Sequence, residues 1–255
     1  MPSPPLLLIH GAANGAWVWE LWRRELKALG WDANVLDLRG HGASLPIDFS
    51  TVTMDDYVGD LESVTEQIRS RLDAEPVLFG WSMGGLVAMM YASKHEETPG
   101  LVALAPSPPL QVQGRADAEE VRKTPNTPFG PELYGVYVDD PERSKSEALF
   151  DLTEDEQNVI LKNSVGALES GFARRQRKRG IDIPAGSVRC PALVLYGEQD
   201  GHFPPELNRR ISLFLAADSI SVADAGHWGL VYSERAVAGV APKVDAWLRR
   251  MTHNA

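Results

Sequence analysis

Short runs of consecutive apolar residues recur along this chain, separated by longer stretches in which apolar residues return every three or four positions. Uninterrupted runs of this kind are typical of strands buried on both faces, as in a parallel sheet. The predicted strands cover residues 6–9, 35–38, 77–79, 101–105, 192–196 and 219–222. We therefore expect a mainly parallel sheet of about six strands with helices on both of its faces.

The stretches between these runs have the apolar spacing of helices. One helix is predicted to begin near Trp17 and to end at Gly30, and another covers residues 54–72 with Thr53 as its N-cap. Further helices are predicted over residues 85–94, 206–215 and 235–250. The alternation of strands and helices is that of an α/β domain.

The alternation is interrupted after the fourth predicted strand. Residues 106–188 are rich in proline and charge, and they contain helical pieces without a convincing strand. A connection of roughly 80 residues is too long for a plain loop in a compact domain. We therefore expect a core made of residues 1–106 and 189–255, with residues 107–188 inserted as a helical cap.

Composition narrows the range of partners and compartments. The chain has 255 residues, a net charge of −10 and a single cysteine, Cys190. The acidic charge disfavours binding to nucleic acid or to an anionic membrane, and one cysteine forms no internal disulfide. The apolar run at residues 6–9 is too short for a secretion signal or a membrane span. We expect a cytoplasmic protein, a monomer or homodimer, without a nucleic-acid or membrane partner.

The most informative motif is the pentapeptide Gly80-Trp81-Ser82-Met83-Gly84. It has the form G-x-S-x-G and lies between a predicted strand and a predicted helix. In that context a sharp turn presents the serine hydroxyl above the sheet, and the glycines prevent Cβ atoms from colliding with the neighbouring backbone. Ser82 is therefore predicted to be a nucleophile.

A serine nucleophile needs a base, and the base needs a group that orients it. Among six histidines, His227 is the best candidate base, because it lies in a Gly-His turn after the last predicted strand. Asp200 follows the fifth strand, at the sheet edge where α/β folds bind ligands. Asp224 is a competing acid, but it lies close to His227 in sequence. His10 and His41 are expected to hold loops together.

The oxyanion that forms in acyl transfer needs hydrogen-bond donors. One is predicted to be the backbone N–H of Met83, the residue after the nucleophile. The other is expected in the loop after the first strand, where small residues let the backbone approach a substrate. We assign it to Ala12, with Ala13 as the fallback.

Together these segments resemble the α/β-hydrolase superfamily. The matching segments are His10-Gly11, residues 37–42, the pentapeptide, Asp200 and Gly226-His227. The resemblance implies a serine acyl-transfer site under a helical cap. The early first strand and its loop look most like the branch that contains plant methyl esterases, hydroxynitrile lyases and related bacterial esterases. Those lyases place a lysine beside the catalytic histidine, where Trp228 stands here, so the resemblance favours an esterase.

The expected reaction is hydrolysis of a small or medium, mostly apolar carboxylic ester through a covalent acyl-enzyme, as in a carboxylesterase. No metal-ligand spacing occurs in the sequence, and neither a metal nor a cofactor is expected. Carbon–carbon bond hydrolysis, lactonase activity and cofactor-free perhydrolase activity stay open with the same residues. A ligand-binding receptor with little turnover is the alternative of another class.

Residues close to the motifs or in the cap are candidates for the substrate pocket. The expected substrate-binding residues are Ala13, Trp17, Trp81, Phe129, Tyr134, Tyr137, His202 and Trp228. The cap aromatics are equally compatible with a small core of the cap, Trp17 with packing, and His202 with a turn. The basic run at residues 174–179 is typical of a solvated helix end. The alternative is a basic rim that attracts an anionic substrate or partner.

Overall fold

The structure, a computed structural model, describes residues 3–253 and contains one six-stranded sheet. Every strand pair is parallel, and the strand order is β2-β1-β3-β4-β5-β6. The strands are β1 (Leu6–Ile9), β2 (Ala33–Leu36), β3 (Val77–Trp81), β4 (Leu101–Leu104), β5 (Ala192–Gly197) and β6 (Asp218–Val222). The predicted parallel sheet with helices around it is confirmed.

Eleven α-helices accompany the sheet within the described residues. Six of them belong to the parts of the chain that carry the strands: α1 (Glu20–Ala28), α2 (Met54–Leu72), α3 (Met83–Ala92), α9 (Pro205–Leu215), α10 (Gly229–Tyr232) and α11 (Glu234–His253). The other five lie between β4 and β5: α4 (Leu110–Gln113), α5 (Ala118–Lys123), α6 (Pro141–Glu147), α7 (Glu154–Ser164) and α8 (Gly171–Arg179). Short 3₁₀ helices cover Ala16–Trp19 and Pro131–Tyr134.

The sheet is covered on both faces, as its uninterrupted apolar runs predict. Leu6 and Leu8 of β1 belong to one buried cluster, and Leu7 and Ile9 belong to a second. Successive side chains of a strand point to opposite faces, so the two clusters are the two sides of the sheet. All four side chains are fully buried.

Several element boundaries differ by a few residues from the sequence predictions, and one helix was missed. The second strand was expected at residues 35–38, but β2 ends at Leu36. Asp37 leaves the ladder because its carboxylate accepts the N–H of Ala16 at 2.6 Å and that of Ala43 at 3.0 Å, which makes it a clamp between two loops. The short helix α10 was not predicted, since four residues carry too little periodicity to be recognised.

The segment between β4 and β5 contributes no strand to the sheet within the described residues. Among the described residues, its one isolated β-bridge is the antiparallel pair of Phe129 and Glu169. We name residues 107–188 the inserted segment; its division from the core as a separate cap stays a prediction. No helix within residues 3–253 combines the length and the apolar character needed to cross a bilayer.

Candidate active site

Ser82 lies at the turn between β3 and α3, in a backbone conformation that is rare for any residue with a side chain. Its φ is 56° and its ψ is −120°. Such a conformation is strained and persists only where the surrounding structure fixes it. The N–H of Ser82 donates to the carbonyl of Leu104 on β4 at 3.0 Å, and the carbonyl of Ser82 accepts the N–H of Ser107 at 2.9 Å. The turn is thus held against the neighbouring strand.

The glycines of the pentapeptide allow this turn because the backbone on both sides of Ser82 is packed against other backbone. A Cβ added at Gly80 would collide with the carbonyl of Gly84. A Cβ added at Gly84 would collide with the carbonyls of Ile9 and His10 at the end of β1. The strand–turn–helix context that the motif requires is therefore present.

His227 and Asp200 are brought together by the loops after β6 and β5. The distance from Nδ1 of His227 to Oδ2 of Asp200 is 2.8 Å, and both side chains are buried. Because a carboxylate only accepts, the proton of this hydrogen bond lies on Nδ1. The Nε2 atom of the neutral ring is then left with a lone pair, as a general base requires.

The second oxygen of Asp200 is also paired. Its Oδ1 accepts the backbone N–H of His202 at 2.8 Å and that of Phe203 at 2.9 Å. Burial opposes ionisation, but the neighbouring His227 and these two N–H groups outweigh it and hold the pKa of Asp200 below its ordinary value. The competing acid, Asp224, is exposed and pairs with Arg235 at 2.9 Å. The geometry therefore favours Asp200 as the partner of His227.

Ser82 and His227 line the same small cavity. Its volume is about 20 Å³, room for roughly one water molecule. The walls are formed by Ala12, Asn14, Trp81, Ser82, Pro131, Tyr134, Val136, His227 and Trp228. No hydrogen bond joins Oγ of Ser82 to His227 in the part of the chain described, and such bonds often tighten only when substrate is bound.

Two backbone N–H groups beside this cavity are available as donors. Neither Ala12 nor Met83 donates its N–H to another group within residues 3–253, and Met83 is the first residue of α3. The first N–H groups of a helix have no partner inside the helix, and the helix dipole there favours negative charge. The fallback residue, Ala13, instead donates its N–H to Glu169 at 3.3 Å. The geometry thus favours Ala12 over Ala13.

The predicted pocket residues separate into two groups. Trp81, Tyr134 and Trp228 line the cavity at Ser82. The others lie outside its walls: Ala13, Trp17, Phe129, Tyr137 and His202. Proximity to a motif in the sequence does not guarantee that a residue lines the cavity.

The residues outside the cavity walls have other contacts. Trp17 stacks on Trp228 with ring centroids 6.1 Å apart, and the Tyr137 ring lies 3.9 Å from the guanidinium of Arg143. Phe129 packs edge-on against Tyr134 at 5.7 Å. These contacts are those of packing residues that support the wall.

His202 and Trp81 contact His227 directly. The rings of His202 and His227 are 5.2 Å apart and nearly perpendicular, and Nε2 of His202 lies 3.0 Å from the carbonyl oxygen of Tyr134. Trp81 donates its Nε1–H to the carbonyl of His227 at 3.2 Å. Trp81 therefore both lines the cavity and fixes the backbone of the candidate base.

His10 connects two loops, as predicted, whereas the hydrogen bond of His41 is local. His10 accepts the N–H of Leu38 at Nε2 (3.1 Å), so its Nδ1 carries the proton and donates to the carbonyl of Gly11 (2.7 Å). Burial and the nearby His41 lower the pKa of His10 to about 4, so its ring is neutral at pH 7. His41 lies 3.0 Å from the carbonyl of Arg39 through Nδ1.

Several residues at the site carried no usable signal in the sequence. Pro131, Val136 and Asn14 line the cavity, and Asp151 of the inserted segment accepts the N–H of Gly226 at 2.5 Å. None of them belongs to a motif, and their approach depends on how the inserted segment packs over the sheet. Only Asn14 lay within a stretch already singled out, the loop after β1.

The basic run at residues 174–179 is divided between two environments. Arg177 donates to the hydroxyl of Tyr134 at 3.2 Å. Arg175 and Arg179 instead line an open groove of about 830 Å³ together with Arg115 and Arg122. The run ends α8, where cations suit the helix dipole. Attraction of an anionic substrate or partner by this groove stays a prediction.

Within residues 3–253, no group of three or more His, Cys, Asp or Glu side chains is placed to hold a metal ion. The polar groups at the cavity include the hydroxyl of Ser82, the imidazole of His227 and the backbone N–H of Ala12.

The profile of the alpha/beta hydrolase family matches residues 6–243, nearly the whole chain. The chain belongs to the alpha/beta hydrolase family. It is 26% identical to the AB hydrolase superfamily protein YisY of Bacillus subtilis over 91% of this chain and 87% of that one.

Two further proteins to which this alpha/beta hydrolase is similar are named as esterases. A pimeloyl-[acyl-carrier protein] methyl ester esterase of Salmonella newport is 36% identical, over 40% of this chain and 37% of its own. The crystal structure of polyneuridine aldehyde esterase superposes with a TM-score of 0.72 at 18% identity, covering 95% of this chain and 99% of that one. At that identity the structural likeness shows the fold alone.

Proposed function

We propose that this alpha/beta hydrolase is a serine carboxylic-ester hydrolase that acts through a covalent acyl-enzyme. The observation that carries the proposal is the convergence of Ser82 and His227 on one cavity, with the imidazole held at 2.8 Å by Asp200. The strained turn at Ser82 supports the role of nucleophile, because an exposed hydroxyl on a sharp strand–helix turn is the feature that G-x-S-x-G hydrolases share.

In the proposed reaction, Oγ of Ser82 attacks the ester carbonyl carbon while its proton moves to Nε2 of His227. Collapse of the tetrahedral intermediate breaks the bond to the leaving oxygen, which takes that proton and departs as the alcohol. Water then attacks the acyl-Ser82 ester, with His227 again removing the proton. The second collapse releases the carboxylic acid and returns the proton to Ser82. Asp200 keeps the ring in the required tautomer and stabilises the imidazolium that forms.

The N–H groups of Ala12 and Met83 are proposed to stabilise the negatively charged oxygen of each tetrahedral intermediate by hydrogen bonding. Ala12 lines the cavity and Met83 directly follows Ser82, and the N–H of neither residue is paired within the described residues. A preorganised donor of this kind lowers the barrier by about 3 kcal/mol. Neither N–H group has to reorient during the reaction, because each belongs to backbone that is fixed by its neighbours.

The proposed substrate is a small or medium, mostly apolar ester. The cavity of about 20 Å³ is walled mainly by apolar side chains, among them Val136 and Trp228. The esterase name of the Salmonella relative favours an ester over the other bonds that the same three residues cleave in principle.

The proposal is tested with p-nitrophenyl acetate and Ser82→Ala. We expect the variant to lose activity while keeping the circular dichroism spectrum of the wild type, because only the nucleophile is removed. Ser93→Ala, at the other end of α3, is the matched control and should keep wild-type activity. A fluorophosphonate should add its mass to Ser82 and to no other serine.

A panel of esters, thioesters, lactones and β-diketones then defines the bond that is cleaved. Steady hydrolysis of short esters faster than of the other classes supports the proposal. A single burst equal to the protein concentration without further turnover would contradict it and would favour a ligand-binding receptor. Labelling of a serine other than Ser82 would refute the proposed nucleophile.

A further inference from the structure

A carboxylate of the inserted segment reaches the loop that carries the proposed oxyanion donor. We name residues 10–15 the oxyanion loop. Glu169 is fully buried between α7 and α8, and its Oε2 accepts the N–H of Ala13 at 3.3 Å. The two residues are 156 positions apart in the chain. None of the motifs predicted this contact, and the proposed reaction does not use Glu169.

The surroundings of Glu169 are those of a fixed anion. Its Oε1 accepts the hydroxyl of Tyr57 at 2.5 Å and the N–H of Ser170 at 2.7 Å. Nε2 of His41 lies 3.4 Å from Oε2, close enough for an ion pair although not aligned for a hydrogen bond. Burial opposes the charge, but His41, Arg177 and Tyr57 outweigh it and lower the pKa of Glu169 to about 2.

The same anion acts on His41 in return. Burial disfavours the imidazolium, yet the carboxylate of Glu169 and the carbonyl of Arg39 raise the pKa of His41 above its ordinary value. A buried charge is stable only when it is paired and hydrogen-bonded, and this cluster satisfies that condition for Glu169. Its carboxylate is therefore held in one position at neutral pH.

The peptide group between Ala12 and Ala13 is hydrogen-bonded through both its N–H and its carbonyl. Its N–H, that of Ala13, donates to Glu169, and its carbonyl, that of Ala12, accepts Nδ2 of Asn14 at 2.8 Å. The preceding peptide is held by Nδ1 of His10, which donates to the carbonyl of Gly11 at 2.7 Å. The N–H of Ala12 belongs to that preceding peptide. The direction of the Ala12 N–H is therefore fixed, because these two adjacent peptide groups have little freedom to rotate.

Ala13 also has a conformation that needs support. Its φ is 54°, in the left-handed region, which costs an alanine about 1–2 kcal/mol. The residue is only 1% exposed, so its N–H would be without any partner if the carboxylate were removed. An unpaired buried donor is costly, and the loop would rotate to find another acceptor. Such a rotation would turn the N–H of Ala12 away from the cavity.

We propose that Glu169 is a positioning residue for ester hydrolysis, which fixes the oxyanion loop from the inserted segment and so aims the N–H of Ala12 at the reacting oxygen. This inference rests on the proposed function. It makes the inserted segment part of the catalytic apparatus, because the oxyanion loop keeps its shape only while that segment is docked.

The test compares Glu169→Gln with Glu132→Gln. Glu132 is an exposed carboxylate of the inserted segment that accepts a local backbone N–H at 3.1 Å, which makes it a matched control. An oxyanion donor acts mainly in the transition state, so Glu169→Gln should lower kcat about 10- to 100-fold and leave KM within about twofold. A trifluoromethyl ketone, which forms a tetrahedral adduct, should lose affinity by the same factor. A raised KM with unchanged kcat would overturn the proposal.

A second measurement does not depend on activity. In wild-type protein the Ala13 amide should exchange slowly with solvent deuterium, and in Glu169→Gln it should exchange at least about tenfold faster. Protection equal to that of the wild type would overturn the proposal. If the wild-type protein hydrolyses no ester but the Ala13 amide loses protection in the variant, the proposed function fails while the structural link to the loop stands.

A third variant covers the case in which Glu169→Gln does not fold, since the substitution removes the carboxylate charge beside the buried His41. Tyr57→Phe removes one donor to Glu169 and keeps the carboxylate. We expect a loss of kcat of about threefold to tenfold, without a change in KM, and faster exchange of the Ala13 amide. Wild-type kcat together with wild-type exchange in Tyr57→Phe would overturn the proposal.

Discussion

At the scale of single residues, both carboxylate oxygens of Asp200 are hydrogen-bonded. One oxygen accepts from His227, and the other accepts two backbone N–H groups of the following turn. The turn therefore orients the carboxylate, and the carboxylate orients the imidazole. Asp-Gly pairs are also common in ordinary turns. Here the carboxylate of Asp200 accepts the N–H groups of the turn and is also proposed to orient His227.

Asp200→Asn should lower kcat roughly ten-thousand-fold, because the amide favours the wrong imidazole tautomer and does not stabilise the imidazolium. The kcat for p-nitrophenyl acetate at pH 8 is the measurement. Asp224→Asn is the control, since that exposed carboxylate pairs with Arg235 away from His227, and it should keep wild-type kcat. Equal losses in both variants would contradict the assignment.

The same substitution has a signature in acid stability. The pKa of Asp200 is lower in the folded protein than in the unfolded chain, so its ionised form adds to the free energy of unfolding above about pH 4. That contribution is lost as the pH falls through the lowered folded-state pKa. Urea unfolding between pH 5 and pH 3 should therefore show a smaller pH dependence in Asp200→Asn than in the wild type.

At the scale of elements, the unit that matters is β3, the turn at Ser82 and α3. The backbone of α3 runs so close to that of β3 and β1 that side chains are excluded at Gly80 and Gly84, and the N–H of Ser82 donates to Leu104 of β4. The sharp turn thus depends on tertiary contacts with two neighbouring strands, although its glycines are visible in the sequence. The strain at Ser82 is sustained by this close packing.

Gly84→Ala should lower the free energy of unfolding by about 1–3 kcal/mol, because the added methyl group meets the carbonyls of Ile9 and His10. We also expect loss of esterase activity, since relief of the clash must move the turn that carries Ser82. Gly239→Ala in α11 is the control: its Cβ meets nothing within 4 Å, and it should raise stability by about 0.5–1 kcal/mol. Urea unfolding measures both, and a neutral Gly84→Ala would contradict the packing argument.

At the scale of the whole molecule, the inserted segment closes the site and also holds its loops. Pro131, Tyr134 and Val136 form part of the cavity wall. Asp151 accepts the N–H of Gly226, next to His227, while Glu169 accepts that of Ala13. The same segment therefore bounds the cavity at Ser82 and is hydrogen-bonded to the two loops beside it.

Val136→Ala should extend the range of acyl groups that the enzyme accepts. Val136 is 1% exposed and faces the cavity, so its truncation enlarges a space of only about 20 Å³. The ratio of kcat/KM for the butyrate ester to that for the acetate ester should rise by roughly fourfold for each methylene newly buried. Val138→Ala, 37% exposed and outside the cavity, should leave that ratio unchanged. An unchanged ratio in Val136→Ala would contradict the proposed wall.

Much of the fold and of the candidate site could be predicted from local patterns. Thr53 caps α2 with a capping box, and α2 has the predicted bounds, because capping and apolar periodicity act over a few residues. The strand–turn–helix at Ser82 is encoded in the same local way. The end of β2 was misplaced because Asp37 binds two loops that lie outside its own segment.

By itself, the sequence determined the parallel α/β sheet, the turn at Ser82 and which residues were candidates for the base and its partner, because periodicity and turn chemistry depend on neighbours along the chain. Only the tertiary structure decided which of these groups meet: that Asp200 rather than Asp224 pairs with His227, that Ala13 is engaged by Glu169, and that Val136 closes the cavity. The reason is physical. Contacts between residues far apart depend on how whole elements pack, and packing is a property of complementary surfaces that no local pattern records.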